Sequence, residues 1–93
     1  MKRYELDGLI EGYEIVEPIV VEEHRFEENN HVYINLAVVG LENEQVFGFA
    51  RRFSHAKEML IDSIICYYRC LRKTERESPD RDKLMRSIRE SNP

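Results

Sequence analysis

The sequence predicts an α+β domain: a small antiparallel meander of three to four strands, one long helix packed across it, and a short C-terminal helix. Three observations carry that prediction. Apolar residues alternate through the first half of the chain and recur at helical steps through the second. Turn-forming residues separate the alternating runs. Strands come first and helices last, which suits a sheet with its helix on one face. At 93 residues the chain is expected to be a single domain, 1–93, able to bury one core without disulfides.

Strands are expected over about 13–53. Tyr13 to Glu17 alternates in part, and Pro18 then interrupts. Proline cannot donate to a ladder, so this region is an edge strand, a bulge or a break. The run resumes at Ile19 and continues through Phe26. Glu27-Glu28-Asn29-Asn30 reads as a turn, because asparagine tolerates the left-handed conformation tight hairpins need. Val32 to Val39 is the strongest strand, with Val32, Ile34, Leu36 and Val38 on one face and Tyr33, Asn35, Ala37 and Val39 on the other. Gly40 to Glu44 is the next turn, and Gln45 to Phe53 the next strand. A turn centred on Glu42-Asn43 pairs Val38 with Phe47, Leu36 with Phe49, Ile34 with Arg51 and Val32 with Phe53. The register of the first hairpin is left open, since adjacent Glu22 and Glu23 put charge on both faces.

Ser54 is a suitable helix N-cap, and a helix is expected over about 55–73. Its charges run from Glu58 and Asp62 to Arg69, Arg72 and Lys73, an order that complements the helix dipole. Ser78-Pro79-Asp80 starts a second, short helix over about 79–91, whose apolar edge is Leu84, Met85 and Ile88. The expected core sets Val32, Ile34, Leu36, Val38, Phe47, Phe49 and Phe53 against Ala56, Leu60, Ile64, Tyr67 and Leu71. Ile61, Ile65 and Tyr68 are then left over on the main helix, to be covered either by the last helix through Leu84, Met85 and Ile88 or by a second copy; the small area of those three residues favours a homodimer.

Composition bounds function more than it assigns it. Apolar residues make up 42% and charged residues 34%, the balance of a folded chain rather than a disordered one. No apolar run reaches the ~18–20 residues that span a bilayer, and no apolar stretch follows Met1-Lys2-Arg3 as in a secretory signal. A cytoplasmic protein without membrane contact is expected. The net charge of −4 hides a split: residues 1–50 hold three basic and eleven acidic side chains, residues 51–93 eleven basic and seven acidic. Such a split often marks a binding surface of one sign.

No spacing supplies a catalytic or metal-binding motif. Cys66 and Cys70 are neighbours on one helix side, but zinc needs two further ligands that no CxxC or HxxxH provides. The cysteines read as small apolar residues of the interior. His24, His31 and His55 lie at no ligand spacing, and Ser54-His55 lacks the strained nucleophile turn of a hydrolase. The glycines form no phosphate loop; Gly48, inside a strand, marks a bulge or a close approach, opposite the face of Phe47 and Phe49. No catalytic residue, metal site or cofactor is therefore expected.

Two charged surfaces remain. Nine acidic residues fall between Glu5 and Glu28. Among them Glu22, Glu23, Glu27 and Glu28 beside the first hairpin are the expected partner-binding residues, facing a larger protein with a basic surface. The alternative surface is basic: Arg69, Arg72, Lys73 and Arg76 step along one helix side and could neutralise phosphates. Sheet-based RNA readers expose aromatics among basic residues, whereas here the exposed sheet positions read as glutamate, so direct nucleic-acid binding is the second choice. The order of elements over residues 13–73, with its acidic surface, resembles small phage-encoded inhibitors of host defence such as anti-CRISPR proteins. It also resembles the antitoxin partners of small toxins. The first resemblance implies a non-catalytic inhibitor that blocks a nucleic-acid-handling complex; the second implies a homodimeric regulator that touches DNA or RNA through its basic helix.

Overall fold

A computed structural model describes residues 2–10, 12–71 and 79–90. The strands are β1 (Lys2–Ile10), β2 (Tyr13–Glu28), β3 (His31–Val38) and β4 (Phe47–Ala50); helices α1 (Phe53–Leu71) and α2 (Pro79–Ser87) follow, and β5 (Ile88–Glu90) closes the described chain. The sheet is antiparallel in the order β1-β2-β3-β4, with β5 added beside β2. The expected meander, long helix and short C-terminal helix are all present. Two strands extend it. β1 was not foreseen, because Lys2 to Ile10 alternates weakly and carries Glu5 and Asp7. The second helix stops at Ser87, and Ile88 to Glu90, expected to be helical, pair with Ile15 to Tyr13 instead.

β2 is the common strand. β1 lies along one edge of it; β3 takes the other edge from Val21 to Glu28, and β5 takes that edge from Tyr13 to Ile15. Pro18 falls between those two stretches, where the β1 register also shifts between Leu6↔Ile19 and Gly8↔Ile15. Of the edge strand, bulge or break that proline allows, the structure has a register shift within an inner strand, placed where the missing N–H breaks no ladder. The hairpin between β2 and β3 turns on Asn29 and Asn30, at φ 51° and 65°, as their tolerance of the left-handed region predicts. That turn settles the register left open by the charges: Glu28 opposite His31 and Val21 opposite Val38.

The β3–β4 register differs from expectation by one residue. Leu36 lies opposite Gly48, and Asn35 opposite Phe49. The connection is not a tight turn on Glu42-Asn43. It runs from Val39 to Val46, tucks Leu41 and Val46 into the core at 2% exposure each, and puts Gln45 at φ 58°. A slip of one residue moves every side chain of a strand to the other face. Gly48 therefore faces α1, and Phe47 and Phe49 face away. A Cβ at Gly48 would stand 1.8 Å from the Ala56 carbonyl oxygen and 2.7 Å from the Leu60 nitrogen. The helix backbone rests on β4 at a distance that only glycine permits.

The core thus keeps Ile34, Leu36, Val38, Ala56, Leu60 and Ile64 from the expected set, and adds Tyr13, Ile15, Ile19, Val21, Leu84 and Ile88. Val32, Phe47 and Phe53 are exposed, and Phe49, Tyr67 and Leu71 are only half-buried. Phe53 begins α1 rather than ending a strand, and the first helical bond runs from the Ala56 N–H to the Arg52 carbonyl, so Arg52 holds the cap position expected of Ser54. Ile65 and Tyr68 are covered within the chain, Tyr68 edge-on to Tyr13 at 5.7 Å. That cover removes most of the apolar area on which a dimer through α1 was expected. No helix among the described residues is long and apolar enough to cross a membrane.

Candidate functional site

α1 and α2 cover one face of the sheet. Side chains alternate along a strand, so the uncovered face is set by the register. It carries Arg3 and Glu5 from β1, Glu22, His24, Phe26 and Glu28 from β2, His31, Tyr33, Asn35 and Ala37 from β3, and Phe47 and Phe49 from β4. At its centre lie three rings. Tyr33 and Phe49 have centroids 5.2 Å apart and planes within 7°; Phe26 lies 5.4 Å from Phe49 and 6.2 Å from Tyr33, at 26° and 28°. Three near-parallel rings in a nearly equilateral triangle cannot form a column, whose end rings would be far further apart. They overlap as shingles, in the offset arrangement aromatic quadrupoles favour. Phe26 remains 41% exposed, and Phe47 beside the plate 42%. The face carries glutamate as expected, at Glu5, Glu22 and Glu28, and aromatics besides; the slip of β4 by one residue is what adds Phe47 and Phe49 to it.

Polar groups surround the plate. Asn35 is opposite Phe49 and His24 opposite Asn35, while His31 sits one step beyond Tyr33 on the same face. Arg51 follows Ala50, the last paired residue of β4, in the bend that leads into α1. Arg51, Arg52, His55 and Val32 line a crevice of about 570 Å³ where β4 passes into α1. Arg51, Arg52 and His55 are exposed, and the first turn of α1 holds no acidic residue to offset its positive end.

The structure divides the four acidic residues singled out in the sequence. Glu22 accepts from Arg3 at 2.8 Å and lies 3.5 Å from His24 Nε2. Glu23 is on the helix side, 4% exposed, and accepts from the Tyr4 hydroxyl at 3.0 Å and Arg25 Nε at 3.1 Å. Burial, then this bond to Glu23, raises the pKa of the Tyr4 hydroxyl. Glu27 and Glu28 are exposed at the hairpin tip. Of the basic set, Arg69 donates to the Tyr13 hydroxyl at 2.9 Å, while Arg72, Lys73 and Arg76 lie outside the described residues.

Cys66 and Cys70 are free thiols and both exposed, not interior as expected. Helix residues four apart share a side, and that side of α1 is the one turned from the sheet. Among the described residues no group of three or more His, Cys, Asp or Glu could hold a metal ion. What sequence reasoning missed is the ring plate. Its signal was the Phe47-x-Phe49 pair aligned with Phe26 and Tyr33, which the expected register assigned to the core. Comparison with protein-family models, with curated proteins and with solved structures finds no match.

Proposed function

We propose that this chain is a non-catalytic binding protein whose working surface is the open face of its sheet. The observation that carries the reading is the shingled plate of Phe26, Tyr33 and Phe49. Aromatic side chains left on the surface of a small domain cost solvation that burial in an interface recovers, and they dominate the energy of interfaces where they occur. A contiguous apolar patch rimmed by polar groups is the usual mark of such a surface.

Docking on a larger protein with a basic surface is a narrower form of this reading, and the exposed Glu27-Glu28 tip supports it. An inhibitor that covers a nucleic-acid-handling complex is narrower still, and rests on the acidic first half of the chain. The test uses the chain as bait in a cell extract, beside two variants. One replaces Phe26 and Phe47 with serine; the other replaces Glu27 and Glu28 with glutamine. Partners retained by the parent and lost with the serine variant place the working surface on the plate. Partners lost only with the glutamine variant place it at the hairpin tip. Equal recovery by all three rejects both surfaces.

A further inference from the structure

We propose that the open sheet face binds single-stranded nucleic acid, with an unpaired base against the Phe26–Tyr33–Phe49 plate and an adjacent phosphate in the Arg51–Arg52–His55 crevice. The inference rests on the reading above, since it needs that face to be the working surface, and it names the ligand.

Two independent features of the chain meet here. The plate offers ring surface of the kind on which bases stack whatever their identity. Tyr33 and Phe49 lie within 7° of parallel, and Phe26 is open to solvent. The crevice supplies the complementary charge. Arg51 and Arg52 follow β4 two and three residues past Phe49, and both are exposed with His55 around a space of about 570 Å³ that Val32, on the helix side of β3, also lines. The α1 N-terminus ends in the same place, and its unshared N–H groups favour an anion. Asn35, His24 and His31 stand around the rings and can hydrogen-bond base edges. Of the carboxylates on this face, Glu22 is held by Arg3, while exposed Glu28 stands one step from Phe26 at the end of the plate away from β4.

The charge balance selects a single strand over a duplex. The two arginines of one crevice can neutralise few of the many phosphates a duplex presents, and a duplex hides its base faces from a plate. Binding is led by stacking and only modestly by charge. One phosphate of a single strand neutralised in the crevice gives a log–log salt slope of about −0.7.

The experiment is fluorescence anisotropy with the full chain and three labelled probes: a ten-nucleotide oligothymidylate, the matching oligouridylate, and a blunt duplex. Expected is saturable micromolar binding of either single strand, with the shallow slope above, and at least ten-fold weaker binding of the duplex. Phe26→Leu, at an exposed position, should weaken binding about ten-fold with an unchanged melting curve. Tyr33→Leu with Phe49→Leu should weaken it further. Arg51→Gln with Arg52→Gln should bring the salt slope close to zero. Preference for the duplex overturns the proposal, as does binding that Phe26→Leu leaves intact. If no strand binds but sedimentation shows a dimer that Phe26→Leu dissolves, the ligand is wrong and the working face stands. If no strand binds and Phe26→Leu alters neither association nor partner recovery, both are wrong.

Discussion

A methyl group added at Gly48 would meet the Ala56 carbonyl oxygen at 1.8 Å, so the helix must lift off β4 to accept it. Gly48→Ala should therefore cost about 3 kcal/mol or more, the upper range for overpacking, in a urea titration. Glu42 acts in the opposite direction. Its own backbone N–H and that of Gly40, which donates to both carboxylate oxygens at 3.0–3.1 Å, hold its pKa below the ordinary value. A carboxylate with a depressed folded pKa stabilises fully above its unfolded value and loses that contribution as pH falls through the folded one. Glu42→Gln should thus lower the melting temperature slightly at neutral pH, and the gap to the parent should close in thermal melts below about pH 4. At this scale the sequence was partly legible. Gly48 announced a close approach, and Asn29 and Asn30 a left-handed turn. The burial of Glu23 was not legible, because it depends on Tyr4, which lies on a strand that the sequence concealed.

Among the elements, β3 and α1 declared themselves through long, regular periods, and both stand where expected. The register between β3 and β4 did not, because a turn of even length and one of odd length are both consistent with the residues Gly40 to Gln45. What decided it was the burial of Leu41 and Val46, apolar residues that a tight turn would have left in water. That single residue of slip turned a core pair of phenylalanines into a surface plate, and with it the candidate site. The first hairpin offers a cleaner test of local chemistry. Asn30 sits at φ 65°, which a β-branched residue adopts only under strain. Asn30→Val should cost about 1 kcal/mol or more, whereas Asn30→Gly should be neutral within a few tenths, as read by denaturant midpoints.

For the whole molecule, the dominant fact is that β2 gathers pieces from both ends of the described chain. The C-terminal contribution is small in length but not in burial: Leu84 is 3% exposed and Ile88 4%, and both belong to the main core. Ile88→Ala should cost about 2–5 kcal/mol by calorimetry or urea titration, as for any large core side chain, rather than the few tenths expected of a frayed terminus. The charge split of the sequence also finds its place at this scale. The acidic first half forms most of the sheet, while Arg51, Arg52 and Arg69 stand around α1, and pairs such as Arg3–Glu22 and Arg25–Glu23 tie neighbouring positions.

The position of β2 between β1 and β5 has a mechanical consequence. Both flanking strands run antiparallel to it, so they are parallel to each other. Lys2 lies beside Glu23 at one end of β2, and Glu90 beside Tyr13 at the other. Tension applied between residues 2 and 90 therefore pulls the two outer strands in opposite directions along a shared axis. The load falls on their hydrogen bonds together, in shear, instead of peeling them one at a time. A pull across the β2–β3 hairpin, between residues 21 and 38, loads its ladder from the open end and unzips it. Resistance to force is thus directional in this chain, greater along the line that joins residues 2 and 90 than across the β2–β3 hairpin.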